Sequence, residues 1–368
     1  MPSERASFAE RRARAAAQLR EQDFGALLVS PGPDLQYLAG YQIFTSERIT
    51  CLVIDRDGKA TLVCPAFEAP RAAVAVPDIE RKTWGETEDP YALVASLVPP
   101  SGAIAVADQM WASFFLRFEE ALPRRRFRVA SLITRRLRMR KDATEVEALR
   151  AVSESADRAY ARILGRPFAG RTEREVAKDL AEMLRAEGHD EVGFTIVGSG
   201  TNGASPHHEA GDRRIDEGDT VVLDFGGAMR GYRSDLTRTV HVGKAAGREE
   251  QKVHDVVRRA QEAGYAAARK NASAEAVDAA ARRVIDDAGY GDRFIHRTGH
   301  GIGLDGHEHP YLVRGNREPL EPGMAFSIEP GIYIPGRFGV RIEDIAVIDA
   351  DGSARPLNQA DHAFATVA

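Results

Sequence analysis

The chain has 368 residues, 43% of them hydrophobic, and a formal net charge of −5. That length has room for two domains, each able to bury a core, and that charge leaves no basic footprint for a nucleic acid. No apolar run approaches the length of a membrane span, and Ser3-Glu4-Arg5-Ala6 opens a segment without the apolar core of a signal peptide, so a cytoplasmic protein with no membrane partner is expected.

In chain order, a polar helix over 7–22 precedes the apolar run Gly25–Val29, the strands Ile49–Ile54 and Ala60–Cys64, a helix from Pro90 to Val98 and a strand at Ala103–Val106. This mixture predicts an α/β N-terminal domain over 1–140. Cys51 and Cys64 flank a turn at Asp55-Arg56-Asp57-Gly58 and are expected as free buried thiols in a reducing compartment. The basic stretches Arg124–Arg128 and Arg135–Lys141 are short and interleaved with apolar residues, which suits a solvated or interdomain face. Asp142, with Glu145 three residues on, has capping-box spacing and opens a second domain, 141–368. In that domain, helices over 143–165 and 172–187 precede an acidic hairpin, and helices over 248–270 and 273–288 precede another. Two helix-helix-hairpin halves imply an α+β domain with a pseudo-two-fold duplication.

The hairpins carry the chemistry. Thr220–Asp224 and Thr237–Val242 read as strands around Gly226–Gly231, with the turn centred between Met229 and Arg230, so Asp224 and Asp235 are expected opposite each other, about 5 Å apart at Cβ. Met324–Glu329 and Gly339–Glu343 repeat the pattern about Gly336. Like charges this close raise each other's pKa unless a cation compensates. Either pair alone reads equally well as solvated strand acids. Both pairs, with His300 in a glycine-flanked loop between them, read as one site for two divalent ions about 3.5–4 Å apart, an arrangement that activates water.

Leu223-Asp224-Phe225-Gly226-Gly227, Tyr232–Thr239, His296-Arg297-Thr298-Gly299-His300-Gly301-Ile302-Gly303, Ser327–Gly331 and Val340–Asp344 together resemble the signature of the pita-bread metallopeptidases, the Xaa-Pro dipeptidases (prolidases) and aminopeptidases P. The resemblance covers roughly residues 140 to 360. It implies a pita-bread catalytic domain behind a creatinase/prolidase-like N-terminal domain, a homodimer, and a small peptide substrate. By this resemblance Asp224 binds one metal, His300 and Glu329 the other, and Asp235 and Glu343 bridge, with a bridging hydroxide as nucleophile. Mn²⁺ is the expected metal, with Co²⁺ or Zn²⁺ as substitutes.

The resemblance also implies that His207 and His307 stabilise the tetrahedral intermediate and that His296 lies on the substrate side, while His208 and His309 carry no firm role. Glu329 is expected to shuttle a proton to the leaving nitrogen, and Arg341, on the strand face of Glu343, to brace a carboxylate or contact substrate. Phe194, Ile302 and Tyr311 are expected to wall a proline pocket. Tyr311 stands where several prolidases place an arginine for the dipeptide's free carboxylate, so another cation is needed. Arg48, in the loop Phe44–Arg48, resembles an arginine of a bacterial dipeptidase subgroup and takes that assignment here, with Asp34 for the substrate's amino end. Three readings follow: an Xaa-Pro dipeptidase; an aminopeptidase P acting on longer peptides; or a non-catalytic peptide-binding module or metal-free creatinase-like hydrolase. The binding module and the creatinase-like hydrolase typically lack the ligands that this chain keeps.

Overall fold

The computed structural model describes residues 2–368, with side chains from residue 7 onward. The chain forms two compact units, Met1–Arg138 and Met139–Ala368. The first contains helix α1 (Pro2–Glu21), strand β1 (Phe24–Val29), α2 (Pro33–Ala39), β2 (Cys51–Asp55), β3 (Ala60–Pro65), α3 (Ala69–Ala75), β4 (Glu80–Trp84), α4 (Pro90–Ala95), β5 (Ala103–Val106), α5 (Ala112–Ala121) and β6 (Phe127–Val129), followed by α6 (Ser131–Met139). Its mixed sheet runs β4-β3-β2-β1-β5-β6. Ala26, Leu28, Val53 and Val63 alternate onto one face of this sheet against Phe114 and Phe118 of α5. Cys51 and Cys64 are buried free thiols.

The second unit opens with α7 (Ala143–Ile163), whose N-terminus is closed by the Asp142–Glu145 capping box, and α8 (Glu173–Ala186), closed by a second box between Thr172 and Glu175. Next come β7 (Glu191–Ser199), β8 (Thr220–Met229), β9 (Tyr232–Arg233) and β10 (Leu236–Val242). The plan then repeats with α9 (Arg248–Ala267), α10 (Ala274–Asp287), β11 (Gly299–Gly301), β12 (Glu308–Leu312), β13 (Ala325–Ile328), β14 (Gly331–Ile334), β15 (Phe338–Arg341) and β16 (Asp344–Ile348). Short strands β17 (Ala354–Pro356) and β18 (Thr366–Val367) follow. The antiparallel runs β10-β8-β7 and β16-β13-β11 match strand for strand within sheets ordered β18-β10-β8-β7 and β17-β16-β13-β11-β12, which is the duplication expected from the sequence.

Period-two alternation decides what each strand buries. Val221, Leu223 and Phe225 of β8 pack against Ala159, Tyr160, Leu180 and Leu184 of the first helix pair. In the second half, Val340 and Ile342 pack against Val253, Val257 and Ile285. The intervening Asp224, Arg341 and Glu343 therefore lie on the opposite face. The half-sheets are stitched where the Glu343 N–H donates to the Thr237 carbonyl at 3.1 Å. Arg238, 1% exposed, donates to the Glu343 carbonyl at 2.7 Å and pairs with Asp344 at 2.6 Å.

One hairpin differs from expectation. Met229 pairs with Tyr232 and Asp224 with Thr237, so the turn is Arg230-Gly231, one residue later than the sequence suggests. Both turn residues have positive φ, 53° and 85°, as a tight two-residue hairpin requires, and the Asp190 carboxylate accepts the Arg230 N–H at 2.6 Å. A non-glycine residue in that conformation carries no sequence signal. Asp224 and Asp235 are thus diagonal on one face rather than directly opposite.

No helix among the described residues is long and apolar enough to cross a membrane. On α9, His254 is 2% exposed and stacked on Phe364 at 4.5 Å. Burial, reinforced by Arg258, His362 and Arg238 and opposed by Asp255, pushes its pKa down to about 4. A histidine buried neutral contributes stability above its unfolded value near 6.5 and loses it as pH falls toward 4, here about 3 kcal/mol. The variant His254→Phe is expected to flatten melting temperature against pH across that window; an unchanged acid loss would assign the effect elsewhere.

Candidate metal centre and substrate cavity

Asp224 projects from the middle of β8, Asp235 immediately precedes β10, and Glu343 immediately precedes β16. Glu329 follows β13. The β13–β16 and β14–β15 pairings share one register, which sets Glu329 across from Glu343. His300 is the central residue of β11, a strand that pairs with both β12 and β13. Gly299 and Gly301 permit that approach, since a Cβ at either would lie 2.0 Å from the Ser327 carbonyl oxygen or 2.1 Å from that of His309.

These elements bring ligating atoms of Asp224, Asp235 and Glu343, and of His300, Glu329 and Glu343, within 4.8 Å of one another. His307 forms a third such group with Asp235 and His300. His300 Nδ1 lies 3.1 Å from the Gly301 carbonyl, which assigns the proton to Nδ1 and leaves Nε2 as the lone-pair atom, 3.3 Å from Glu329 Oε1. Ser327 ties the pieces together: its hydroxyl accepts from the His300 N–H at 3.0 Å and donates to Glu329 at 3.1 Å.

The electrostatics are unfavourable without a cation. Burial, then the charges of Asp224 and Glu329, push the Asp235 carboxyl well up. Burial, then Asp235, Glu329 and Asp224, do the same to Glu343. Burial pushes Glu329 to about 7, with Arg341 opposing and Asp224 reinforcing. Burial and the neighbouring His307 push His300 down to about 3. Asp224 Oδ1 and Glu343 Oε1 are buried without a hydrogen-bond partner. Orphaned carboxylate oxygens facing a neutral imidazole fit divalent cations of borderline hardness.

Arg341 reaches into this cluster of acids. Its guanidinium donates to Asp224 Oδ2, to Thr237 Oγ1 at 3.2 Å and to Tyr333 at 2.8 Å. Thr237 in turn donates to Glu343 at 2.7 Å. The Tyr333 hydroxyl lies 2.8 Å from His296 Nε2, and His296 Nδ1 lies 2.8 Å from the Arg297 carbonyl. Both nitrogens of His296 are therefore committed to this chain of bonds, so its ring lines the cavity while its polar atoms hold the wall together.

A cavity of about 700 Å³ opens over the acids, lined by His207, His296, Arg297 and His307, with Phe194, Ile196, Pro206 and Ile295 as its apolar part. Ile302 is not in that wall; it is fully buried in a core cluster with Leu149 and Ala325. Nor does Tyr311 line the cavity. Its ring lies 4.3 Å beneath the Arg297 guanidinium and 4.6 Å from the ring of His309.

His207 and His307 are both exposed to the cavity, each on a loop anchored by a buried acid. Glu173, the first residue of α8 and fully buried, accepts from the Ser199 N–H and hydroxyl, from Asn202 and from the Gly211 N–H, and lies 2.7 Å from His208 Nε2. It thereby fixes the loop that presents His207, and His208 is an anchor rather than a cavity group. Glu308 pairs with buried Lys141 at 2.7 Å and holds the loop presenting His307. Arg297 lies 3.2 Å from His307 Nδ1, which assigns the other nitrogen, Nε2, as the donor. Neither anchoring acid stood out in the sequence.

In the N-terminal unit, Asp34 is buried with its oxygens committed to Arg138 at 2.9 Å and Thr134 at 3.0 Å, against the expectation of a group for the substrate's amino end. Arg48 is partly exposed, paired with Glu47 and with Glu86 at 3.0 Å.

Comparison with known proteins places this geometry. Residues 147–350 match the model of metallopeptidase family M24, and residues 11–140 match that of the creatinase/prolidase N-terminal domain. The chain is 45% identical over 365 residues to a probable dipeptidase PepE of Mycobacterium tuberculosis, spanning 98% of this chain and 96% of that protein. It is 37% identical to an Xaa-Pro dipeptidase of Lactobacillus helveticus, over 86% of this chain and 88% of the other. The crystal structure of dipeptidase PepE from Mycobacterium ulcerans superposes with a TM-score of 0.92 at 44% identity, covering 99% of this chain and 98% of that one. Two matched acidic hairpins, the imidazole of His300 beside them and these likenesses lead to one conclusion: the chain belongs to metallopeptidase family M24, with a pita-bread domain following a creatinase/prolidase-type N-terminal domain in sequence, and is a metal-dependent hydrolase.

Proposed function

We propose that the protein is an Xaa-Pro dipeptidase that uses two divalent cations, Mn²⁺ in the first instance, held by Asp224, Asp235, His300, Glu329 and Glu343. The observation that carries this reading is the overlap of two groups, Asp224, Asp235 and Glu343 and then His300, Glu329 and Glu343, each with ligating atoms within 4.8 Å of one another; two of their buried oxygens lack any hydrogen bond. The names of the relatives support the dipeptidase part. When bound, the ions supply Lewis-acid polarisation of the scissile carbonyl and acidify a water that attacks it.

The chain's own groups do the rest. Glu329 has the most exposed side chain of the four acids, at 15%, and borders the cavity, where it takes the proton from the attacking water and passes it to the leaving nitrogen. His307, protonated at Nε2, and His207 supply donors for the developing oxyanion. An Xaa-Pro bond offers no N–H, and the apolar wall of Phe194, Ile196 and Ile295 receives the ring. A cytoplasmic homodimer completes the reading.

A second reading, aminopeptidase P, is favoured by one feature. A depression of about 560 Å³ lined by Arg174, Lys178 and Glu209 shares Phe194, Ile196 and His207 with the cavity and gives a longer peptide somewhere to lie. Mn²⁺-loaded protein incubated with Ala-Pro and Ala-Pro-Ala in parallel, with free alanine followed by mass spectrometry, separates the two. Cleavage of the dipeptide alone is expected. Preference for the tripeptide would establish aminopeptidase P, and cleavage of neither would overturn both.

A further inference from the structure

Two cations line the cavity, Arg297 and Arg341. Arg341 is spent on Asp224, Thr237 and Tyr333. Arg297 is half-buried, and among the described residues no carboxylate lies in salt-bridge range of it. Its contacts are the imidazole of His307, 3.2 Å away, and the ring of Tyr311, 4.3 Å from the guanidinium carbon. One N–H is used and the plane is supported from beneath by an aromatic face, which leaves the remaining donors of a rigid fork without an anion. A guanidinium held in this way, beside the histidine that touches the metal-ligand cluster, is preorganised to receive a carboxylate bidentately.

We propose that Arg297, propped on Tyr311, binds the free α-carboxylate of the dipeptide and makes it a specificity determinant. The assignment rests on the dipeptidase reading and deepens it. Tyr311 replaces a direct cation by a platform for one contributed from the segment that leads into β11. Arg48, the candidate from sequence, already faces Glu47 and Glu86.

The test compares Ala-Pro with Ala-prolinamide, which lacks the carboxylate, using Mn²⁺-loaded wild type, Arg297→Ala and Arg297→Lys of equal metal content. Loss of charge-assisted hydrogen bonds is expected to lower kcat/KM of Arg297→Ala on Ala-Pro by about 10- to 150-fold more than on the amide, mainly through KM. Arg297→Lys, which keeps the charge without the fork, should fall between. An equal loss on both substrates, or none on either, would overturn the assignment. Calorimetric titration with L-proline makes the comparison without turnover: binding to wild type that is lost in Arg297→Ala supports it, while equal binding to both, or none to wild type, overturns it. Failure of wild type to cleave Ala-Pro would sink the dipeptidase reading, and the titration would still decide Arg297.

Discussion

Glu343→Gln is expected to move activity and metal-free stability in opposite directions. Glu343 is 1% exposed, accepts from Thr237 through one oxygen and leaves the other unpartnered among Asp224 and Asp235. Glutamine keeps the shape and the acceptor for Thr237 while deleting one of the crowded charges and presenting an N–H₂ to the remaining acids. Without metal at pH 8 the variant should melt higher than wild type, by roughly 1 kcal/mol or more, because each unit of raised pKa that is removed returns about 1.4 kcal/mol. With metal, loss of a proposed ligand should cut turnover at least about 1,000-fold. Calorimetry on stripped protein and an Ala-Pro assay on loaded protein check the two halves. A variant destabilised in both states would make Glu343 an ordinary core residue.

Metal removal should give the wild type an inverted pH profile. A carboxylate whose folded pKa is raised contributes stability while protonated, and that contribution disappears as pH climbs through the folded value. For Glu329 the window runs from 4.5, the unfolded value, to about 7 in the fold. Across it the stripped protein should lose about 3 kcal/mol through Glu329, and Asp235 and Glu343, whose carboxyls are raised by the same crowding, add loss of the same sign. In a domain of this size that corresponds to a fall of about 6–12 °C in melting temperature. Mn²⁺ adds stability by mass action, about 2.7 kcal/mol at a hundredfold excess over Kd, and needs deprotonated ligands, so its stabilisation should be larger at pH 8 than at pH 5.5. Differential scanning at both values, with and without Mn²⁺, reads this directly. Equal metal effects at the two values would mean that the acids do not titrate as their crowding requires.

What was legible in the sequence was what local periodicity encodes. Val221, Leu223 and Phe225 alternate with Val222 and Asp224, so the face of the acid could be read from the strand itself. The cap at Asp142 located the start of the second unit's first helix because capping is a local hydrogen-bond exchange. Four acids on two copies of one helix-helix-hairpin plan, with His300 in a glycine-flanked segment, pointed to the cluster that the fold assembles. The misses were non-local. The turn at Arg230-Gly231 rests on Asp190 accepting the Arg230 N–H across 40 positions. Glu173 gathers a loop ending 38 positions away, and Lys141 meets Glu308 across 167. Ile302 is an apolar residue beside a ligand in sequence, yet the pleat turns it to the core. Arg297 lay inside the quoted signature without a role, because the absence of an acid partner is visible only in three dimensions.

The measurement closest to the central claim is the metal content of Mn²⁺-saturated protein after gel filtration, by inductively coupled plasma mass spectrometry, for wild type and Asp235→Ala. On the proposed reading the protein should retain about two ions per chain, and loss of the Asp235 carboxylate should strip them. A ratio well short of that in wild type, or one that Asp235→Ala leaves unchanged, would contradict the account.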